Sequence, residues 1–139
     1  MNFLRQLWTK SEAAHLRLGK WGEQQAEHFL KHKGLKMLGR RVRVGAHDEI
    51  DLLARDGNVL VVVEVKTRSQ EGMHAPRKAV HKEKKRNLTR AGTRYAKRLT
   101  PRPEALRFDI VEVIGAPGKG SPVIRHHPSA FGLSKGWRF

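Results

Sequence analysis

The chain has 139 residues, enough for one domain with a real core, and carries 29 Lys and Arg against 13 Asp and Glu, a formal charge of +16. Such an excess points to a polyanion partner, nucleic acid being the commonest, with an anionic membrane surface or a ribosome as alternatives. The absence of cysteine excludes a disulfide framework and thiolate zinc sites, and no run approaches the roughly 20 apolar residues that span a bilayer.

Met1–Lys10 mixes Phe3, Leu4, Leu7 and Trp8 with Arg5 and Lys10 but has no signal-peptide core or cleavage site, so a cytoplasmic, soluble protein with a short basic, amphipathic N-terminal extension is expected. Ser11 reads as an N-cap with Glu12 in the first turn. Leu18, Gly22, Ala26, Phe29 and Leu30 share one face of a helix predicted over 12–32, and Gly34 stands where a C′ glycine belongs. Residues 36–45 form a basic strand at or near a sheet edge. Residues 48–55 and 58–67 form a hairpin around Asp56-Gly57. Gly72 and Pro76 mark a loop, and 77–99 reads as a long basic helix ended by Pro101 and Pro103. Leu106–Ile114 is a further strand, and Val123–Arg125 a last short one. Residues 11–131 are expected to make a single domain, followed by a basic aromatic tail over 132–139 in which Trp137 could stack on bases, as could Trp8. Trp21, on the apolar helix face, is expected in the core. The run 59–63, apolar on both faces, needs cover on both sides, and one helix on each face of a mixed sheet supplies it.

The hairpin carries the chemistry. Asp51, Glu64 and Lys66 interrupt strongly apolar strands, where carboxylates are costly unless paired, protonated or bound to a cation. With Asp56-Gly57 at the turn centre, Asp51 faces Val62 and Glu49 faces Glu64, so Glu49, Asp51, Glu64 and Lys66 project from one face. Asp51 and Glu64 are then diagonal neighbours able to share a hard cation such as Mg²⁺ or Mn²⁺. Such an ion activates water and polarises phosphoryl oxygens, and Lys66 could position that water or stabilise developing charge. The competing reading is a structural ion pair of Asp51 or Glu64 with Lys66. On the long helix the inward stripe is Val80, Lys84, Leu88, Ala91, Tyr95 and Leu99. Lys84 either snorkels to the surface or brings its ammonium to the carboxylates or a phosphate. His28, His32, His126 and His127 lack a companion carboxylate motif and read as solvated residues rather than a zinc site.

Taken in order, Gly19-Lys20-Trp21-Gly22-Glu23, Glu49-Ile50-Asp51-Leu52, Val63-Glu64-Val65-Lys66-Thr67-Arg68, Gly72, Ala79-Val80, Lys84, Arg107-Phe108-Asp109-Ile110-Val111 and Ala130-Phe131 resemble the YraN-like family of small, uncharacterised bacterial proteins, within the PD-(D/E)XK endonuclease-like superfamily. The resemblance implies an α/β fold with a restriction-endonuclease-like αβββαβ core, a central mixed sheet flanked by helices. It also implies Asp51 and Glu64 as metal ligands, Lys66 as the catalytic lysine and Glu23 as an additional ligand, as in Holliday-junction resolvases of that superfamily. Periodicity alone does not select Glu23. Where the family usually has glycine before Glu49-Ile50-Asp51, this chain has His47-Asp48, and Asp48 is expected to tighten the turn through its side chain and to add negative charge near the site.

The expected function is metal-dependent phosphodiester hydrolysis in DNA, branched or otherwise structured DNA included, with Mg²⁺ or Mn²⁺ as cofactor. Arg40, Arg41, Arg43, Arg68, Lys84, Lys85 and Arg86 would hold the nucleic-acid backbone. The alternative is a non-catalytic DNA- or RNA-binding protein that keeps the fold. A resolvase-like role would require a homodimer.

Overall fold

The computed structural model describes residues 3–46, 48–70 and 82–132. In chain order they form α1 (Phe3–His32), β1 (Lys36–Val44), β2 (Asp48–Asp56), β3 (Val59–Arg68), α2 (Lys82–Arg98), β4 (Ala105–Ile114) and β5 (Val123–Phe131). The five strands make one sheet in the order β1-β2-β3-β4-β5. Only β3 and β4 run parallel, joined across α2; the other neighbours are antiparallel. The α/β class and αβββαβ order expected from the sequence are therefore present, with β5 added at the edge.

Each helix covers one face. Ala26 and Leu30 of α1, with Leu35, pack on Leu52, Ala54, Val61, Val63, Val111 and Val113. Leu88, Ala91 and Ala96 of α2 pack on Leu53, Leu60, Val62 and Phe108. The run 59–63 is apolar on both sides because alternate residues feed these two cores. Trp21 packs against the α1 core as expected.

α1 begins at Phe3, so Ser11 lies inside it rather than at its start, and the division at residue 10 falls within one continuous helix. No glycine or proline interrupts the chain between Phe3 and Leu18, and the good helix formers there extend the helix beyond the predicted start. Its end is as predicted: Gly34 has φ +95, Leu35 N–H donates to Leu30 and Gly34 N–H to Lys31, the paired bonds of a Schellman turn. β5 is also longer than expected, nine residues rather than three. Pro128 is tolerated within it because β5 is an edge strand, where a missing N–H costs little, and Ser129 at φ +52 lies beside its irregularity. The segment 71–81, with Gly72, Pro76, Val80 and the predicted first turn of α2, lies outside the described residues, as does Trp137.

The hairpin turns on Gly57-Asn58 rather than Asp56-Gly57. Gly57 takes φ +57 while Asn58 stays at negative φ, the pattern of a II′ turn, and Asp56 pairs with Val59. The register thus moves by two, which preserves which residues share a face. Regular pairing ends at Leu52 with Val63, and the alternation of β2 breaks there: Leu52 and Ala54 lie under α1, whereas Ile50 joins the α2 core. Asp51 stands at that break.

Candidate active site

A glycine sets the site's geometry. A Cβ on Gly22 would overlap the Thr67 side chain, so glycine alone allows α1 to lie this close to the end of β3. That approach carries the next residue, Glu23, to a cleft of about 360 Å³ lined by His15, Leu18, Gly19, Glu23, Asp51, Glu64, Val65, Lys66 and Thr67. Where β2 and β3 stop pairing, the Val65 N–H donates to Asp51 Oδ2 at 2.9 Å, which fixes that carboxylate at the fork.

Asp51, Glu64, Lys66 and Glu23 therefore share one cleft. Lys66 Nζ lies 3.4 Å and Lys84 Nζ 3.5 Å from Glu64 Oε1. The ammonium of Lys84 thus reaches the carboxylates from α2. Glu64 is 5 % exposed, and its Oε2 is buried without a hydrogen-bond partner. Burial, then the charge of Glu64, pushes the Asp51 carboxyl up to about 7 against the pull of the Val65 N–H. Glu23 accepts a bond from Arg41 Nε at 2.9 Å.

These donors suit a hard divalent cation. An orphaned buried oxygen on Glu64 and a carboxyl on Asp51 that resists ionisation are both signs of oxygen ligands short of positive charge. Among the described residues no three His, Cys, Asp or Glu side chains form a ready cage for a metal ion. Mg²⁺ does not demand one, since it is commonly held by one or two carboxylates together with waters and substrate phosphates.

The other predicted residues divide. Glu49 is not on the cleft: it is exposed, 3.8 Å from Arg43, because β2 loses its alternation at Asp51. Arg40 reaches Glu27 at 2.6 Å. Arg86 is exposed, and Lys85 lies over the Phe131 ring. Arg68 is buried at the end of β3, withdrawn from a phosphate-binding surface. Asp48 takes a two-pronged bond from Arg90, at 2.8 Å to each oxygen, and so ties β2 to α2. A broader hollow of about 710 Å³ beside β1 offers one carboxylate, Glu27, already closed by Arg40 and Lys31.

The histidines correct the sequence reading most. The His126 side chain is covered, its Nε2 2.7 Å from Asp109 Oδ2, and its Nδ1 lies 3.0 Å from Lys33 Nζ. Asp109, wholly buried, also accepts two bonds from Arg107 and one from the Ser129 N–H. Burial raises its pKa, but the bonds from His126, Arg107 and Ser129 prevail and hold it below the ordinary value. Sequence reasoning also missed His15 and Gly19 in the cleft, although His15, Gly19 and Glu23 recur every four residues along one ridge of α1.

Comparison with known proteins gives the chain's family. Residues 22–113 match the family model described as "Uncharacterised protein family UPF0102". A UPF0102 protein of Symbiobacterium thermophilum is 46% identical over 101 residues, 73% of this chain and 85% of that protein. One from Leifsonia xyli is 39% identical over 111 residues, 80% and 92% of the two chains. One from Syntrophotalea carbinolica is 37% identical over 123 residues, 88% and 96%. Among the described residues no helix is long and apolar enough to cross a membrane.

Proposed function

We propose that this protein, which belongs to the UPF0102 (YraN-like) family within the PD-(D/E)XK endonuclease-like superfamily, is a metal-dependent nuclease that hydrolyses phosphodiester bonds in DNA. The observation that carries the reading is the convergence of Asp51, Glu64 and Lys66 on one cleft at the fork of β2 and β3. Asp51 and Glu64 would hold Mg²⁺ or Mn²⁺, with Glu23 as a further oxygen donor; when bound, the ion polarises a phosphoryl oxygen and acidifies water. Lys66 donates to the attacking water or to the phosphoryl oxygen on which charge develops. Lys84 adds a second cation beside Glu64, from the helix that also presents Arg86 to solvent. The +16 charge supports a polyanionic substrate. Cutting both strands of a branched DNA would take two copies of the chain, each supplying one cleft.

The test is cleavage of labelled duplex, four-way-junction and single-stranded DNA, and of structured RNA, with Mg²⁺ or Mn²⁺. Cutting by the wild type that Asp51→Ala and Glu64→Ala both abolish is expected; variants that cut as fast as the wild type would refute the assignment.

One observation favours a second reading. Glu64 Oε1 is already flanked by two ammonium groups, a stable arrangement that needs no metal. A non-catalytic nucleic-acid-binding protein would bind with a steep salt slope and cut none of these substrates.

A further inference from the structure

β1 carries an anomaly at the rim of the cleft. Among the described residues, Arg41 and Ser129 are the non-glycine positions with positive φ, and Arg41 stands at φ +45. The left-handed region costs a residue with a Cβ about 1–2 kcal/mol. It also breaks the alternation of β1, so that two successive arginines reach the same helix. Arg40 Nε meets Glu27 at 2.6 Å and Arg41 Nε meets Glu23 at 2.9 Å, one helical turn apart.

Anchoring does not account for the strain. Arg40 already ties β1 to α1 through a carboxylate that is buried and also bonded by Lys31. Arg41 instead grips Glu23, which lines the cleft, and its own side chain is 37 % exposed.

We propose that Arg41 is an exchangeable counter-ion of the cleft: it holds Glu23 while no divalent cation is bound, and passes its guanidinium to a phosphate of the nucleic acid once a cation on Asp51 and Glu64 draws Glu23 inward. This rests on the nuclease reading above and adds a residue that couples the two ligands. Arg41 competes with the cation for one carboxylate, and its planar donors match the geometry of the phosphate that arrives next. Cation binding therefore readies the substrate contact.

The first test is a cycle of Mn²⁺ affinities, read from the EPR signal of the free ion. Arg41→Gln should tighten Mn²⁺ about two- to fivefold, the range expected from the loss of a part-exposed ion pair. In a Glu23→Gln background the same change should give only the smaller effect of Arg43→Gln, which reports the general field. Arg41→Gly, which also relieves the positive φ, should fold and tighten Mn²⁺ equally. Equal tightening in both backgrounds, or none in either, overturns the competition for Glu23. The second test uses a fluorescein-labelled DNA duplex and a Lys66→Met background, in which cleavage should be too slow to deplete the duplex during the measurement. Arg41→Gln should weaken the duplex roughly tenfold with Mn²⁺ and little in EDTA; equal losses in the two buffers overturn the exchange. A protein that binds Mn²⁺ but no duplex in either buffer refutes the nucleic-acid reading and the phosphate half of the exchange, while the Mn²⁺ cycle still decides the rest.

Discussion

Replacing Asp51 with asparagine should stabilise the metal-free protein by an amount that grows as pH rises from 4 to 7 and is complete by pH 8. The Asp51 carboxyl titrates near 7 in the folded protein against an ordinary 3.8. At pH 8 its ionisation therefore costs the fold up to about 4 kcal/mol. Because the folded-state pKa is raised, the sign is fixed: the full stability is present below pH 4, falls as pH climbs through 7, and then levels. Water in the open cleft and the cost of burying an amide reduce the recoverable part to about 2 kcal/mol, worth roughly 6–8 °C in a chain of this size. The amide introduced by Asp51→Asn can still accept the Val65 N–H through its oxygen, so no bond is lost. Differential scanning calorimetry in EDTA from pH 4 to pH 8 is the assay, and the difference between the two proteins cancels every other titration. The Tm curves should meet near pH 4 and separate in favour of the variant by pH 8. Mn²⁺ should then raise the wild-type Tm and leave the variant's nearly unchanged. Parallel curves, or a variant less stable at pH 8, would refute the reasoning.

Three further outcomes follow from the same geometry. Gly22→Ala must displace Thr67, and overpacking of about 2 kcal/mol outweighs the helical gain of about 1 kcal/mol; Tm should fall by several degrees and Mn²⁺ affinity with it, with partial recovery in Thr67→Ala. Asp109→Asn leaves donors on Arg107 and His126 without their carboxylate and should cost about 3 kcal/mol in chemical denaturation. Lys66→Met should reduce cleavage about a hundredfold or more in single-turnover assays while Mn²⁺ binding holds or tightens, since one competitor for Glu64 is gone.

Much of the fold was legible because the signals are local. The apolar stripe of α1, its glycine stop and the doubly apolar β3 each follow from a short window of sequence. The charged residues of β2 and β3 were legible for a related reason: a two-residue error in register leaves faces unchanged, so Asp51, Glu64 and Lys66 were grouped correctly on a turn placed one residue early. Glu49 was misassigned because the break in alternation at Asp51 comes from the fork of the sheet, a tertiary event. Glu23 came from the family resemblance rather than from the apolar stripe, and its pairing with Arg41 needed the seating of α1 on β3, which depends on one missing Cβ at Gly22. His126 was read as solvated because its partner, Asp109, lies on another strand, and nothing between the two announces the pairing.

The two acidic side chains Asp51 and Asp109 show how partners rather than burial decide which way a carboxylate's pKa moves. Asp109 is the more deeply buried, yet four bonds hold it ionised, and its contribution to stability is lost only as pH falls below the ordinary carboxylate range. Asp51 keeps one N–H against the charge of Glu64, and its contribution runs the other way, lost as pH rises. A fold gains nothing from an arrangement of the second kind unless something else supplies the missing positive charge. Three cationic side chains do so in part, Arg41 on Glu23 and the two lysines on Glu64; under the proposed function, a divalent cation or a phosphate would take their place. The stability that Asp51 forgoes is the measure of how strongly the cleft should attract such a ligand.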